Sequence, residues 1–371
     1  MEKIYVPNKP GLSPDLLNRG VKKREDPNFG FKRIVFYPFG RNALYSIIKE
    51  MKISRKDSIL LPNFVCHTAI RPFEMFTKKV RFFRVRENLS IDFDDLADRI
   101  EKNTKVLMVV HYHGFTGNIE RVMEICRDND IYLIEDCAQA MYSRHKGKLL
   151  GSFGDASVFS IRKTLPVPDG GALVINNEEF KVEEPSKELT DKEGVELRNK
   201  KLTNLILTWL QVRTKFFLAS FSKELEDLKW VERRLYSDPS KFHKISDISR
   251  TIMNNVDSNR VIKKHRKNFN FLSEGIEGMS GIEPIFKKPE PGVCPYAFPL
   301  MVKNRKSVRS ELLRNGIETL VHWDYLLPKG FAEKYPEIEK LARNEMTLPV
   351  HQDLERKHME SIVNELKKIA K

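Results

Sequence analysis

Residues that can do covalent and acid–base chemistry stand at the ends of apolar runs in the first half of the chain. Lys163 follows the run ASVFS and precedes a turn rich in proline and glycine at 166–171. Asp136 ends the run IYLIED, and Gly40 stands where a turn opens a helical pattern. A buried lysine amine can attack a carbonyl carbon, a strand-end carboxylate can hold a proton on a nitrogen, and helix-start amides can bind phosphate. The pattern therefore predicts one site for a phosphorylated aldehyde.

The elements that must position these residues alternate between short apolar runs and helical patterns. The predicted strands are IVFY, SILLP, VRFFRV, VLMVVH, IYLIED, ASVFS and ALVIN. Helical spacing of apolar residues separates several of them, as in TAIRPFEMF, DDLADRIEK and IERVMEICRDN. Continuous apolar strands separated by helices indicate an α/β fold with a mostly parallel sheet covered on both faces. Such sheets bind ligands at the carboxyl ends of their strands.

The length of 371 residues predicts a large domain with a smaller one appended. We expect the large domain at 1–255, with an irregular N-terminal arm and a helical insertion at 178–245, and a small C-terminal α+β domain at 256–371. A long helical pattern from Ser246 to Leu272 predicts the bridge between them. Within the small domain, YAFPLMV and ETLVHW predict strands, and SVRSELLRNGI and the segment from Leu354 to Ile369 predict helices.

The segment KLTNLILTWLQVRTKFFLASF is apolar but interrupted by Arg213 and Lys215. We expect an amphipathic helix packed on the body or on a partner subunit, rather than a membrane-surface helix, because its polar face is not cleanly segregated.

The chain carries 65 Lys and Arg against 51 Asp and Glu, a formal net charge of +14. This excess predicts an affinity for anions: nucleic acid, anionic lipid or a phosphorylated small molecule. Nucleic acid is the least favoured of these, because the basic residues are dispersed without aromatic interleaving or a known module.

Targeting and metal signals are weak in this sequence. The start MEKIYVPNKPGLSP has no apolar core for a signal peptide, and no apolar run approaches the ~20 residues of a membrane span. Cys66, Cys126, Cys137 and Cys294 make no zinc or disulfide spacing. We do not expect His111 and His113, two residues apart in a strand pattern, to chelate one ion. We therefore expect a cytoplasmic protein without a transmembrane segment or metal site.

Several segments, in order along the chain, resemble one enzyme family. FGRNAL, LLPNFVCHTAI, VLMVVHYHGFTGNIE, IYLIEDCAQA and FGDASVFSIRKTLPVPDGGALV are similar to the DegT/DnrJ/EryC1/StrS sugar aminotransferases, and RSELLRNGIETLVHW and NEMTLPVHQDL resemble that family's closing segments. The resemblance implies a fold type I enzyme that depends on pyridoxal 5'-phosphate, with a mostly parallel large domain and a smaller C-terminal α+β domain.

The resemblance assigns catalytic roles to two residues. Lys163 matches the lysine that bonds the cofactor, by its distance to the Asp169-Gly170-Gly171 turn, and Asp136 matches the aspartate that pairs with the pyridine nitrogen. Gln139 falls where the family places a Gln or His near the cofactor's phenolic oxygen. One departure is that Lys163 follows Ser160 by three residues, whereas family members commonly have five.

The phosphate and ring contacts also follow from the resemblance. Gly40, Arg41 and Asn42 at a helix start, together with Ser160, should bind the phosphate. Family members usually read Ser-Gly-Thr where this chain reads Phe-Gly-Arg, and Arg41 could pair with the phosphate directly. The ring-stacking aromatic of relatives falls on Cys66, so Phe64 or His67 is expected to substitute.

The implied activity is transfer of an amino group from glutamate or glutamine to a keto-sugar carried on a nucleotide diphosphate, in a homodimer. Two alternatives remain open at the level of sequence. Dehydration or epimerisation of a sugar would use the same cofactor, although dehydrating relatives replace the lysine with histidine. A cofactor-free descendant serving as a binding or scaffold protein would fit the shortened loop and the missing aromatic.

Overall fold

The computed structural model describes residues 4–17, 29–214, 238–323 and 335–370. Its strands are β1 (Ile34–Tyr37), β2 (Ser58–Pro62), β3 (Val80–Phe83), β4 (Thr104–Val110), β5 (Tyr132–Asp136), β6 (Arg144–His145), β7 (Lys148–Leu149), β8 (Ala156–Phe159), β9 (Gly171–Ile175), β10 (Ile282–Pro284), β11 (Ala297–Val302) and β12 (Glu345–Pro349). Its α-helices are α1 (Gly40–Glu50), α2 (His67–Glu74), α3 (Phe93–Arg99), α4 (Ile119–Asp128), α5 (Lys192–Thr214), α6 (Asp247–Asn255), α7 (Ser258–Gly275), α8 (Arg305–Arg314), α9 (Pro336–Asn344) and α10 (Arg356–Ile369). Short 3-10 helices span Pro14–Leu17, Tyr112–Gly114 and Ile161–Lys163.

The main sheet has seven strands in the order β1-β9-β8-β5-β4-β2-β3. The pairs from β8 through β3 are parallel, whereas β9 runs antiparallel to both β8 and β1. This confirms the predicted α/β class with a mostly parallel sheet. A three-stranded antiparallel sheet, β10-β11-β12, packs with α7, α8 and α10 in the C-terminal part.

The continuous apolar strands are buried on both faces. In β4, Val106 and Met108 join a core cluster with α1 and α2, while Leu107 and Val109 join a second cluster with α4 on the other face. Because side chains alternate along a strand, an apolar run with no polar alternation needs helices on both sides. The sheet is therefore held rigidly, and so are the residues at its strand ends.

Two predicted elements differ in the structure. The pattern from Ser246 to Leu272 forms two helices, because the backbone is extended at Val256 and Asp257 caps α7 by accepting a hydrogen bond from the Arg260 amide. The predicted strand ETLVHW forms only an isolated bridge, between Leu320 and Thr347. Its few apolar residues pack against β12 without continuing a ladder.

The N-terminal arm and the apolar helix contact each other. The Leu12 amide donates to the Leu205 carbonyl in α5, and a Cβ on Gly11 would lie 2.3 Å from the backbone nitrogen of Trp209. The predicted amphipathic helix at 201–221 is thus present as α5 up to Thr214, and the rest of that prediction lies outside the described residues. Within the described ranges, no helix is long and apolar enough to cross a membrane. The domain limits at 255/256 stay a prediction.

Gly171 allows β9 to lie against the turn that starts α1. A Cβ at this position would be 2.2 Å from the backbone carbon of Phe39 and 2.4 Å from the Gly40 nitrogen, which is closer than real atoms approach. Gly171→Ala should therefore displace the Phe39–Gly40 turn and lower the free energy of unfolding by about 1–3 kcal/mol or more. Urea unfolding measures the change.

Gly117→Ala is the matched control. Its Cβ would meet only Ile91 atoms at 3.9 Å, an ordinary van der Waals contact. Equal stability losses in the two variants would contradict the steric account.

Candidate functional site

A cavity of about 320 Å³ opens where the carboxyl ends of β5 and β8 meet the start of α1. The two strands are neighbours in parallel register, with Asp136 opposite Val158. The cavity is lined by Lys9, Phe39, Gly40, Arg41, Leu44, Cys66, Thr68, Ala69, Val110, Asp136, Ala138, Gln139, Val158, Phe159, Ser160, Arg162, Lys163 and Trp323. The structure thus brings residues from seven separate segments of the chain to one edge of the sheet, as expected for this fold class.

Lys163 is presented by the 3-10 helix that follows β8. Its backbone amide donates to the Ser160 carbonyl at 3.0 Å, so the side chain is carried on a closed turn rather than on an open loop. Burial lowers the pKa of the Lys163 amine below its ordinary value of 10.5, and the negative charge of Asp136 offsets this only in part. A larger fraction of the amine is therefore uncharged near neutral pH, which is the form that attacks carbonyl carbon.

Asp136 ends β5 and is 8% exposed. Burial raises the pKa of its carboxyl group, while the Lys163 charge and a hydrogen bond from the Ala138 amide, 2.9 Å from Oδ1, act in the opposite direction. Each of the two side chains thus loses hydration and gains the field of the other. A positively charged ring nitrogen placed in this cavity would find the same carboxylate as its counter-ion.

Hydrogen bonds with two other segments of the chain fix the turn after Lys163. Asp169 accepts hydrogen bonds from the hydroxyls of Ser246, at 2.6 Å, and Ser249, at 2.5 Å, and the Gly170 amide donates to the Pro38 carbonyl at 2.7 Å. Ser246 also caps α6. These bonds join the turn to α6 and to the segment before α1, so the lysine turn and the helix start keep a fixed relation.

The start of α1 offers backbone amides to the cavity. Phe39 precedes the helix in an extended conformation and carries no side-chain oxygen that could cap it. Gly40 fits tightly there, because a Cβ would lie 3.1 Å from the Phe159 carbonyl oxygen. The helix dipole and these amides favour an anion at Gly40 and Arg41.

Basic side chains surround the Phe39 ring at this end of the cavity. The guanidinium carbons of Arg41 and Arg162 lie 4.4 and 5.0 Å from the ring centroid, and the Lys201 ammonium lies 5.3 Å from it. Lys9, from the N-terminal arm, also lines the cavity. This clustering gives the site a positive field well suited to phosphate groups.

The side-chain amide of Gln139 is held through its oxygen, while its nitrogen is available to a ligand. Its Oε1 accepts a hydrogen bond from the His113 backbone amide at 3.0 Å, which orients the side chain. Its Nε2 is buried and has no hydrogen-bond partner among the described residues, although Gln139 lines the cavity. A ligand oxygen in the cavity would satisfy this donor.

The cavity contains most, though not all, of the residues that the sequence pointed to. Gly40, Arg41, Cys66, Asp136, Gln139, Ser160 and Lys163 line it. Asn42 does not, because its side-chain amide faces the other way and donates to the Pro239 carbonyl at 3.0 Å. His67 is exposed on α2 and is also absent from the lining.

Sequence reasoning missed Trp323, Lys9, Thr68 and Arg162. Trp323 packs edge-on against Phe64, with ring centroids 4.7 Å apart, and Trp323 lines the cavity whereas Phe64 does not. The positive φ of 58° at Trp323 turns this residue out of the preceding extended segment. No local pattern in the sequence signals that geometry.

Comparison with known proteins decides the family. A sequence model of the DegT/DnrJ/EryC1/StrS aminotransferase family matches residues 38–201 and 245–367, which together are most of the chain. The chain belongs to this family. The matched ranges include every cavity-lining residue named above except Lys9 of the N-terminal arm.

Individual relatives are more distant. GDP-perosamine synthase from Vibrio cholerae is 31% identical over 142 residues, which is 38% of this chain and 39% of that protein. The uncharacterized protein MJ1066 from Methanocaldococcus jannaschii is 26% identical over 365 residues, 88% of this chain and 83% of that protein. The chain thus spans about two fifths of the length of the synthase that it matches.

The fold is shared with solved aminotransferases. PseC from Helicobacter pylori, an aminotransferase involved in the biosynthesis of pseudoaminic acid, superposes with a TM-score of 0.70 at 17% identity, covering 99% of both chains. The fold type I assignment made from the sequence is therefore confirmed.

The lowered pKa of Lys163 predicts that its amine becomes reactive at a lower pH than an exposed lysine does. In the cofactor-free protein, the rate at which an acylating reagent modifies Lys163 should level off with rising pH before 10.5, because burial makes the neutral amine available earlier. Peptide mass spectrometry across a pH series, with exposed Lys200 as the internal reference, measures this profile. A Lys163 rate that keeps climbing through pH 10.5 would show an amine that is not desolvated.

Proposed function

We propose that this protein is a pyridoxal 5'-phosphate-dependent aminotransferase that moves an amino group from glutamate or glutamine to a nucleotide-linked keto-sugar. The observation that carries the proposal is the desolvated Lys163 amine, held beside the Asp136 carboxylate in a cavity that also contains the start of α1. Membership of the aminotransferase family supports it.

The residues of the cavity fit the cofactor. Lys163 would bond its aldehyde carbon, Asp136 would hold the proton on its pyridine nitrogen, and the unpartnered Nε2 of Gln139 would donate to its phenolic oxygen. The amides at the start of α1 and the Ser160 hydroxyl would bind its phosphate, with Arg41 supplying positive charge. When bound, the cofactor supplies an electron sink for the carbanion formed at the substrate's α-carbon.

Lys163 has a second task once the donor amine replaces it. The freed amine would take the proton from the donor's Cα as a general base, and would return it as a general acid to the carbon that carried the cofactor's aldehyde. Its lowered pKa suits the role of base, because burial increases the fraction of neutral amine that can accept the proton. Asp136 stays ionised through these steps if it faces a protonated ring nitrogen, since that charge favours the carboxylate.

The charge around the cavity supports a phosphorylated acceptor. Lys9, Arg162 and Lys201 lie at the Phe39 end, beyond what one cofactor phosphate needs. A nucleotide diphosphate carries the complementary negative charge, and the keto-sugar attached to it would then enter toward Lys163. By analogy with the family, we propose that the protein works as a homodimer in the cytoplasm.

The proposed function predicts a visible absorbance band and its disappearance when an amino donor is added. Protein incubated with pyridoxal phosphate should show the visible absorbance band of a lysine-bound cofactor, and glutamate or glutamine should bleach it as the amine form of the cofactor is made. Lys163→Ala should not form the band, because the substitution removes the amine that bonds the cofactor. Spectrophotometric titration measures both effects.

Other outcomes identify the alternatives. Protein that stays colourless would favour the binding or scaffold protein, and a band that no amino donor bleaches would favour the dehydratase or epimerase. Lys200→Ala, at an exposed lysine of α5, is the matched control and should keep the band.

Asp136→Asn tests the role of the carboxylate. Asparagine can still accept the Ala138 hydrogen bond but carries no charge, so the cofactor should bind while the rate of bleaching by glutamate falls by about 100-fold or more. Stopped-flow absorbance at saturating glutamate measures the rate. An unchanged rate would remove Asp136 from the reaction.

A further inference from the structure

Two histidines and a glutamate form a second cluster of buried side chains, behind the wall of the cavity. His113 follows β4, His322 adjoins the cavity residue Trp323, and Glu345 begins β12. His113 and Glu345 are fully buried, and His322 is 8% exposed. His113 precedes His322 and Glu345 by more than 200 residues in sequence, and the three meet where the segment after β4 lies near the C-terminal sheet.

The donor atoms of this cluster converge on one point. Glu345 Oε1 lies 3.0 Å from His322 Nδ1 and 3.8 Å from His113 Nε2, and one ligand atom from each residue lies within 4.8 Å of the others. Two ligands of a tetrahedral zinc ion at about 2.0–2.1 Å stand about 3.3 Å apart. The observed spacings bracket that value, so small side-chain adjustments would complete the set.

His113 provides the independent observation. Neither of its ring nitrogens has a hydrogen-bond partner within the part of the chain that the structure describes, although the ring has no exposed surface. Burying such a polar ring unsatisfied is costly, and buried imidazoles normally find a partner.

The other buried His and Glu pair shows what a satisfied cluster looks like. Glu135 lies in a cluster with His111 and Cys137. Its carboxylate accepts hydrogen bonds from His111 Nε2 at 2.8 Å and from the amides of Gly151, Phe153 and Gly154 at 2.7–2.9 Å. Its oxygens are fully used, so that cluster is structural. In the candidate cluster Glu345 is also hydrogen-bonded, with the His322 amide at 2.9 Å and with His322 Nδ1 at 3.0 Å, whereas the His113 ring makes no hydrogen bond to the described residues.

We propose that His113, His322 and Glu345 form a binding site for one divalent transition-metal ion, most suitably Zn²⁺. Two imidazoles and one carboxylate are a known zinc donor set, with the fourth position left for water. The ion would tie the segment after β4 to the start of β12 and to the segment before Trp323. It would also hold the His113 backbone amide, which orients Gln139. The proposal does not depend on the proposed transaminase activity.

The expectation from the sequence was that no metal site exists. That reasoning considered His111 and His113 as a pair, and the structure does place them in separate clusters. The partners of His113 come instead from the far end of the chain. Spacing along one strand cannot indicate such a site.

Metal binding to the full-length protein tests the proposal. After dialysis against a chelator, the protein should take up about one Co²⁺ or Zn²⁺ per chain. Bound Co²⁺ should give the visible absorption of a four-coordinate ion, and Zn²⁺ should raise the midpoint of thermal unfolding. His113→Asn should lose the uptake and the Co²⁺ spectrum; Asn is chosen because it tolerates the positive φ of 53° at this position.

His145→Ala is the matched control, since His145 pairs with Glu120 near the surface and lies outside the cluster. It should keep both signals. Circular dichroism checks that each variant is folded, and Glu345→Gln gives a second test that preserves the side-chain shape. Uptake by the unaltered protein that does not exceed that of a folded His113→Asn variant would overturn the proposal, as would a Co²⁺ spectrum that the substitution leaves unchanged.

Discussion

The structure depends on the burial of one amine and one carboxylate in the same cavity. Lys163 and Asp136 are each pushed toward the neutral form by loss of water and toward the charged form by the other. Such a pair costs stability unless the surrounding structure fixes both members. Here two neighbouring parallel strands do so, because β5 ends at Asp136 and β8 leads into the turn that carries Lys163. The loss of water that costs stability also lowers the pKa of the Lys163 amine and so makes it more reactive.

The rest of the fold keeps that pair in place. Helices on both faces of the sheet hold the strand ends, and the buried Asp169, bonded to Ser246 and Ser249, ties the lysine turn to α6. Gly171 lets β9 lie close to the start of α1, which lines the same cavity as Lys163. Arg41, where relatives usually have threonine, then adds charge to a helix start that already favours anions.

The fold and the main site residues could be predicted from the sequence because their signals are local. Continuous apolar strands indicate a sheet covered on both faces, and Asp136, Ser160 and Lys163 directly follow or end such strands. What could not be predicted depends on side-chain direction or on distant contacts. Asn42 shares its turn with Gly40 but faces Pro239, and Trp323 reaches the cavity through a backbone turn that no spacing signals. The break at Asp257 depends on a side-chain cap that competes with a helical pattern.

The central proposal is that the Lys163 nitrogen bonds the cofactor. The most direct test is to trap that bond by chemical reduction. Protein saturated with pyridoxal phosphate is reduced with borohydride, digested and analysed by peptide mass spectrometry. The account predicts that the reduced cofactor's mass is found on Lys163, at about one per chain, while the other lysines stay unmodified. Cofactor mass spread over exposed lysines such as Lys200, with none on Lys163, would contradict it.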